Sequence, residues 1–131
     1  MLKLLGCFAT RRTVVLSLNE NEALDCGRKL LGLDNLSALT EALCQRYGIQ
    51  QVLVHTIHET LLRTPDGLTR EKTRFVAQPR ISTGAGDHFN GASCFALLAG
   101  LSDRDRVHFA GVFASTYVSK GSTPTLDEVL D

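Results

Sequence analysis

The segment Ser82-Thr83-Gly84-Ala85-Gly86-Asp87 has the residue types and spacing best suited to chemistry in this chain. A long run of helical periodicity follows it, so the glycines fall where a loop turns into a helix. The amides of Gly84, Ala85, Gly86 and Asp87 would then carry the unpaired N–H groups and the positive dipole end of that helix, which together attract anions. Small side chains let a phosphate come close to the backbone. The segment is not a Walker loop, since no Gly-Lys-Ser/Thr follows it. It is not a dinucleotide fingerprint either, since Phe89 stands where a third glycine is needed. A plainer reading is also open, a glycine turn with Asp87 as the acidic residue of a helix start.

Asn19 and Glu22 are spaced as a capping box, in which each side chain satisfies the other residue's backbone N–H. His55 and His58 have no carboxylate or cysteine at a spacing that would complete a metal site. His88 reads as a first-turn surface residue and His108 as a helix-face residue.

The elements around these residues can be read from periodicity and punctuation. Leu2, Leu4, Leu5 and Phe8 fit one face of a short helix, and Thr13 to Leu18 is rich in β-branched residues and reads as a buried strand. Asn19 to Leu33 is helical with Gly32 near its end, and Ser37 to Tyr47 is helical with Gly48 as its C-terminal cap. Gln51 to His55 is a second buried strand, expected to run parallel to the first, both of them central in a sheet. Leu61-Leu62-Arg63 and Thr73 to Val76 are expected as extended pieces about the turn Pro65-Asp66-Gly67. A helix through Leu98, closed by Gly100, and another from Ser102 to about Lys120, closed by Gly121, complete an α/β order. Thr125 and Glu128 announce one more helix just before Asp131. An isolated turn there is expected to fray, or the chain to be cut from something longer.

Composition narrows the function classes. The chain has 131 residues, with 14 Lys or Arg against 14 Asp or Glu, so no net basic field is available to hold nucleic acid or an anionic membrane. Aromatic residues make up 6% with no Trp, which argues against base-stacking platforms. No stretch approaches the roughly 20 apolar residues of a membrane helix, and the opening residues lack a signal-peptide pattern. Cys7, Cys26, Cys44 and Cys94 are far apart, with no CxxC or zinc spacing. They are expected to be reduced, mostly buried thiols in a cytoplasmic protein.

The string from Ser82 to Ala92 resembles the C-terminal signature of the ribokinase-like carbohydrate kinases, the PfkB family, with its threonine before GAGD, an aromatic two residues on, then small residues. The resemblance implies that the backbone of Gly84, Ala85, Gly86 and Asp87 forms the anion hole for the transferred phosphoryl group and that Asp87 is the catalytic base. Asn19 and Glu22 are similar to the family's N-x-x-E motif, which implies that they organise Mg²⁺. Val52 to Thr56 is similar to the strand leading into the family's T-x-G nucleotide loop, where Thr56 corresponds and His58 replaces the glycine. Ile81 stands where the family often has an aspartate that helps line a monovalent-cation site, so K⁺ activation is not carried over.

The implied fold is a three-layer ribokinase-like α/β sheet with flanking helices, incomplete, with residues 1–131 as the C-terminal portion of the kinase domain and the N-terminal sugar-binding half and lid absent. The implied function is ATP-dependent phosphoryl transfer to an alcohol group of a sugar or related small molecule, with ATP and Mg²⁺ as cofactors. Association with a missing N-terminal half or a homodimer is the expected assembly. Whether the isolated chain is active stays open. A nucleotide-binding module without catalysis and a structural or interaction fragment are the alternatives.

Overall fold

A computed structural model describes residues 1–130. The elements are α1 (Leu2–Ala9), β1 (Val15–Asn19), α2 (Glu20–Cys26), α3 (Leu36–Tyr47), β2 (Gln51–His55), β3 (Glu59–Thr64), β4 (Gly67–Lys72), α4 (Ala85–Leu98), α5 (Asp103–Lys120) and α6 (Asp127–Leu130). A π-helical stretch, Gly27–Leu31, prolongs α2. The strands form one open sheet in the order β1-β2-β3-β4. β1 and β2 are parallel, as expected, in a register that pairs Val15 with Gln51 and Asn19 with His55. Among the described residues, only β2 and β3 have neighbours on both sides. β1 is first in the order and not central, because among the described residues the chain supplies it with a single partner.

The chain divides into two compact units, residues Met1–Thr56 with Leu61–Arg70, and Ile57–Thr60 with Glu71–Asp131. The first is organised around Ala23, Leu39, Leu43, Ile49, Val52 and Val54. Val52 and Val54 share one face of β2 by strand alternation, while Leu39 and Leu43 stand one turn apart on α3. From α1 it is Leu2 and Leu5 that reach this core, whereas Leu4 and Phe8 are exposed. The two exposed residues do not belong to the buried face. Gly6 sets how near that helix comes to α3: a Cβ there would lie 2.4 Å from the Tyr47 carbonyl oxygen.

β3 and β4 are six residues each about the two-residue turn Pro65-Asp66. So tight a turn brings the strands side by side at once, and Gly67–Lys72 uses up the pairing that Glu59–Thr64 can offer. Thr73 adds one further bond, its N–H donating to the His58 carbonyl at 2.8 Å. Arg74–Val76 is therefore irregular, not the strand expected from its β-branched and aromatic composition.

The second unit is built on α4 and α5, which pack against each other across the short Ala99–Ser102 connection. Phe89, Ala92, Ser93 and Ala96 are the buried residues of α4, and Val107 and Ala110 are among those of α5. Arg106 is also buried, and its Nε donates to Ser93 Oγ at 2.9 Å. The last turn does form. Thr125 N–H donates to Glu128 at 2.7 Å, and Lys120 of α5 bonds the same carboxylate at 2.6 Å, so the turn is tied to a longer helix. The thiols differ from expectation: Cys7 and Cys94 are exposed, on the sides of α1 and α4 away from their buried residues, while Cys26 and Cys44 are half-buried against the core of the first unit.

Candidate active site

In the first unit, the parallel register brings the C-terminal ends of β1 and β2 together, where open α/β sheets offer ligand sites. Asn19 ends β1 opposite His55, and Thr56 follows directly. Asn19 caps α2 in full: its Oδ1 accepts the Glu22 N–H and Glu22 Oε2 accepts the Asn19 N–H, each at 2.9 Å. The capping box thus exists, and it leaves the second carboxylate oxygen of the exposed Glu22 and the Asn19 amide NH₂ outside it. A hard oxygen donor beside solvent suits Mg²⁺ that keeps most of its waters, so the donor set fits a water-mediated contact. Thr56 is half-buried, while His58 belongs to the second unit, where it stacks on Phe75 with centroids 5.7 Å apart.

Burial pushes the pKa of His55 below its ordinary value of 6.5, and the Glu22 charge opposes this. The unfolded chain therefore takes up a proton that the folded chain resists, and stability rises with pH where that difference exists. The contribution of His55 is expected to be complete above about 6.5 and lost as pH falls through its lower folded value. Thermal midpoints measured from pH 7.5 to 5.5 should fall in the wild type and flatten in His55→Gln. Equal slopes in the two proteins would assign the acid sensitivity to other groups.

In the second unit, α4 starts as the glycines require. Gly84 is its N-cap, with φ +86°, a left-handed conformation that an L side chain adopts only with strain. A Cβ at Gly84 would also lie 3.1 Å from the Tyr117 hydroxyl. The Ala85 N–H is given to the Ser82 carbonyl at 3.2 Å. Helix geometry leaves the next two amides, of Gly86 and Asp87, without intrahelical acceptors. Asp87 is exposed in the same first turn. Open amides and a carboxylate within one turn provide for an anion and for a proton acceptor beside it.

Asp87 also stands at the rim of a groove of about 470 Å³ whose walls include Phe95, Phe109, Phe113, Pro124 and Leu126. His88 is not a free surface residue. Its ring stacks on Tyr117 with centroids 3.7 Å apart, Nδ1 lies 2.8 Å from the Gly84 carbonyl and Nε2 lies 2.9 Å from Thr123 Oγ1. Sequence reasoning missed Tyr117 and Thr123 because both are more than thirty residues from the turn they support. No local spacing signals such a contact.

This α/β arrangement is a ribokinase-like fold. A ribokinase from Thermotoga maritima is 27% identical with a TM-score of 0.76, over 88% of this chain and 40% of that one. A ribokinase from Arabidopsis thaliana, solved in complex with ribose and ATP, is 28% identical with a TM-score of 0.74, over 88% of this chain and 39% of that one. A protein described as ribokinase II from Escherichia coli, in complex with ATP and Mg²⁺, shares the fold at 18% identity and a TM-score of 0.76, over 96% of this chain and 40% of that one. The chain thus spans about 40% of the length of these kinases. Residues 2–131 match the prokaryotic ketohexokinase family, and the chain belongs to it. No curated protein matches the chain. Among the described residues no helix is long and apolar enough to cross a membrane.

Proposed function

We propose that this chain is the C-terminal portion of an ATP-dependent carbohydrate kinase of the PfkB type, transferring the γ-phosphoryl group to an alcohol of a sugar or related small molecule. The observation that carries the reading is the first turn of α4, where the amides of Gly86 and Asp87 and the exposed Asp87 carboxylate occur together. The family name makes ketohexoses the first acceptors to test. Asp87 takes the proton of the sugar hydroxyl as its oxygen forms a bond to the γ-phosphorus, and the bond from that phosphorus to the bridging oxygen breaks, leaving ADP with the electron pair. The Gly84 to Asp87 turn accommodates the phosphoryl oxygens, with Gly84, Ala85 and Gly86 keeping side chains out of their way. Such transfer depends on positioning and electrostatics more than on covalent chemistry.

Asn19 and Glu22 are assigned to Mg²⁺ through its waters, and Thr56 to the nucleotide. Bound Mg²⁺ would neutralise triphosphate charge. Most of the sugar-binding residues are assigned to the part of these kinases that this chain does not match, on a longer chain or on a separate polypeptide that associates with it. Location in the cytoplasm, where ATP is plentiful, accords with this reading.

Calorimetry with Mg-ATP followed by phosphoryl transfer to a panel of ketohexoses and pentoses tests the proposal. Binding with transfer is expected once the N-terminal portion is present. Binding without transfer in that complete form would favour a nucleotide-binding module, and no binding would reduce the Gly84 turn to a helix start.

Because the capping box is fully formed, Glu22 has a structural reading of its own. Glu22→Gln separates the two, since glutamine can complete the box. The variant is expected to weaken Mg-ATP binding about tenfold, the scale typical of residues acting through a metal's outer shell, with little change in the thermal midpoint. Lost stability with unchanged nucleotide affinity would leave Glu22 as a cap alone.

A further inference from the structure

We propose that His88, clamped face to face on Tyr117, is a positioning residue that holds the Gly84 turn in the conformation from which the open amides of Gly86 and Asp87 project. The inference rests on reading that turn as the phosphate site.

A trans peptide points its N–H opposite to its C=O. The Thr83 carbonyl accepts the Tyr117 hydroxyl at 2.9 Å, so the Gly84 N–H is turned away from α5. The Gly84 carbonyl accepts twice from the same residue, from the His88 backbone N–H at 3.0 Å and from its Nδ1 at 2.8 Å. A carbonyl only accepts, so Nδ1 carries the hydrogen. In the neutral ring Nε2 is then the acceptor for the Thr123 hydroxyl.

The imidazole is therefore fixed at both nitrogens and across its face, where it lies 14° from parallel to the buried Tyr117 ring. Through it the Gly84 turn is tied to the segment after α5 and, with the tyrosine hydroxyl, to α5 itself. Glycines are the residues that lose most freedom on ordering. A turn of Gly-Ala-Gly without such ties would have to be ordered by the ligand, and that cost would subtract from affinity.

The test uses the 131-residue chain, Mg-ATP as the probe and the ¹⁵N–¹H resonances of Gly84 to Asp87. His88→Ala is expected to weaken Mg-ATP binding about fivefold or more, the scale of a lost hydrogen bond with its supporting contacts. His88→Asn, whose side-chain amide can take the place of Nδ1, should recover most of that affinity although it lacks the stack. Tyr117→Phe keeps the stack and removes only the bond to Thr83. It should shift the Gly84 resonance and weaken binding in the same direction, with Ala110 in the middle of α5 unmoved. If His88→Ala does not fold, His88→Asn and Tyr117→Phe decide the matter.

Affinity and turn resonances unchanged in His88→Ala and Tyr117→Phe would overturn the positioning role. A wild-type chain that binds no Mg-ATP would overturn the phosphate-site reading instead. The ligand-free resonances of Gly84 to Asp87 then still decide the role of His88: they broaden in the variants if it orders the turn and stay sharp if it does not.

Discussion

Asp87→Asn is expected to lower sugar phosphorylation by about 10²- to 10⁴-fold, the usual contribution of a general base. The measurement belongs in whichever form carries the activity, the chain alone or joined to an N-terminal portion. Asparagine keeps the size of the side chain and is well tolerated near a helix start, so folding should survive. Nucleotide affinity should hold or rise slightly, because a carboxylate that would face the γ-phosphate is gone. Turnover close to wild type would remove Asp87 from the role of base. The variant's thermal midpoint and its Mg-ATP affinity need to be measured alongside, since a collapse of both with turnover would place the residue's effect in the helix start.

The largest expected loss of stability comes from the first unit. Leu43 is fully buried on α3 among Leu39, Val52 and Val54. Leu43→Ala removes apolar atoms and leaves a cavity that close-packed neighbours fill only in part, so it should cost about 2–5 kcal/mol. Leu43→Met, nearly equal in volume, should cost less than about 1.5 kcal/mol. Urea midpoints at unchanged slope give both values. If Leu43→Ala cost no more than Leu43→Met, the site would be able to collapse around the smaller residue, and α3 would be less tightly held than its burial implies.

Much of the candidate site was legible because its signals are local. The glycine of the turn, the acidic residue in the first helical turn and the Asn19–Glu22 box each depend on atoms within a few residues of one another. Helix ends were legible for the same reason: Gly32, Gly48 and Gly121 take the left-handed conformation at helix ends. The resemblance then attached a proposed chemistry to the turn, and the family match over residues 2–131 bears out the resemblance itself. It could not assign His88, whose place in the first turn of a helix is equally compatible with solvent and with a stacked partner.

By itself, then, the sequence determined the kind and order of most elements, the start of α4 at Gly84 and the family to which the chain belongs. Backbone sterics, capping bonds and side-chain period act over one or two turns and are written in neighbouring residues. Only the tertiary structure decided that β1 has a single partner in the sheet among the described residues, that the hairpin uses Gly67–Lys72 and not Thr73–Val76, and that Leu2 and Leu5 face the core while Leu4 and Phe8 do not. It also decided that His88 is clasped between Gly84, Thr123 and Tyr117. Each of these outcomes is set by competition among contacts between residues distant along the chain, where the winning partner is the one that buries apolar surface while leaving no polar group unpaired.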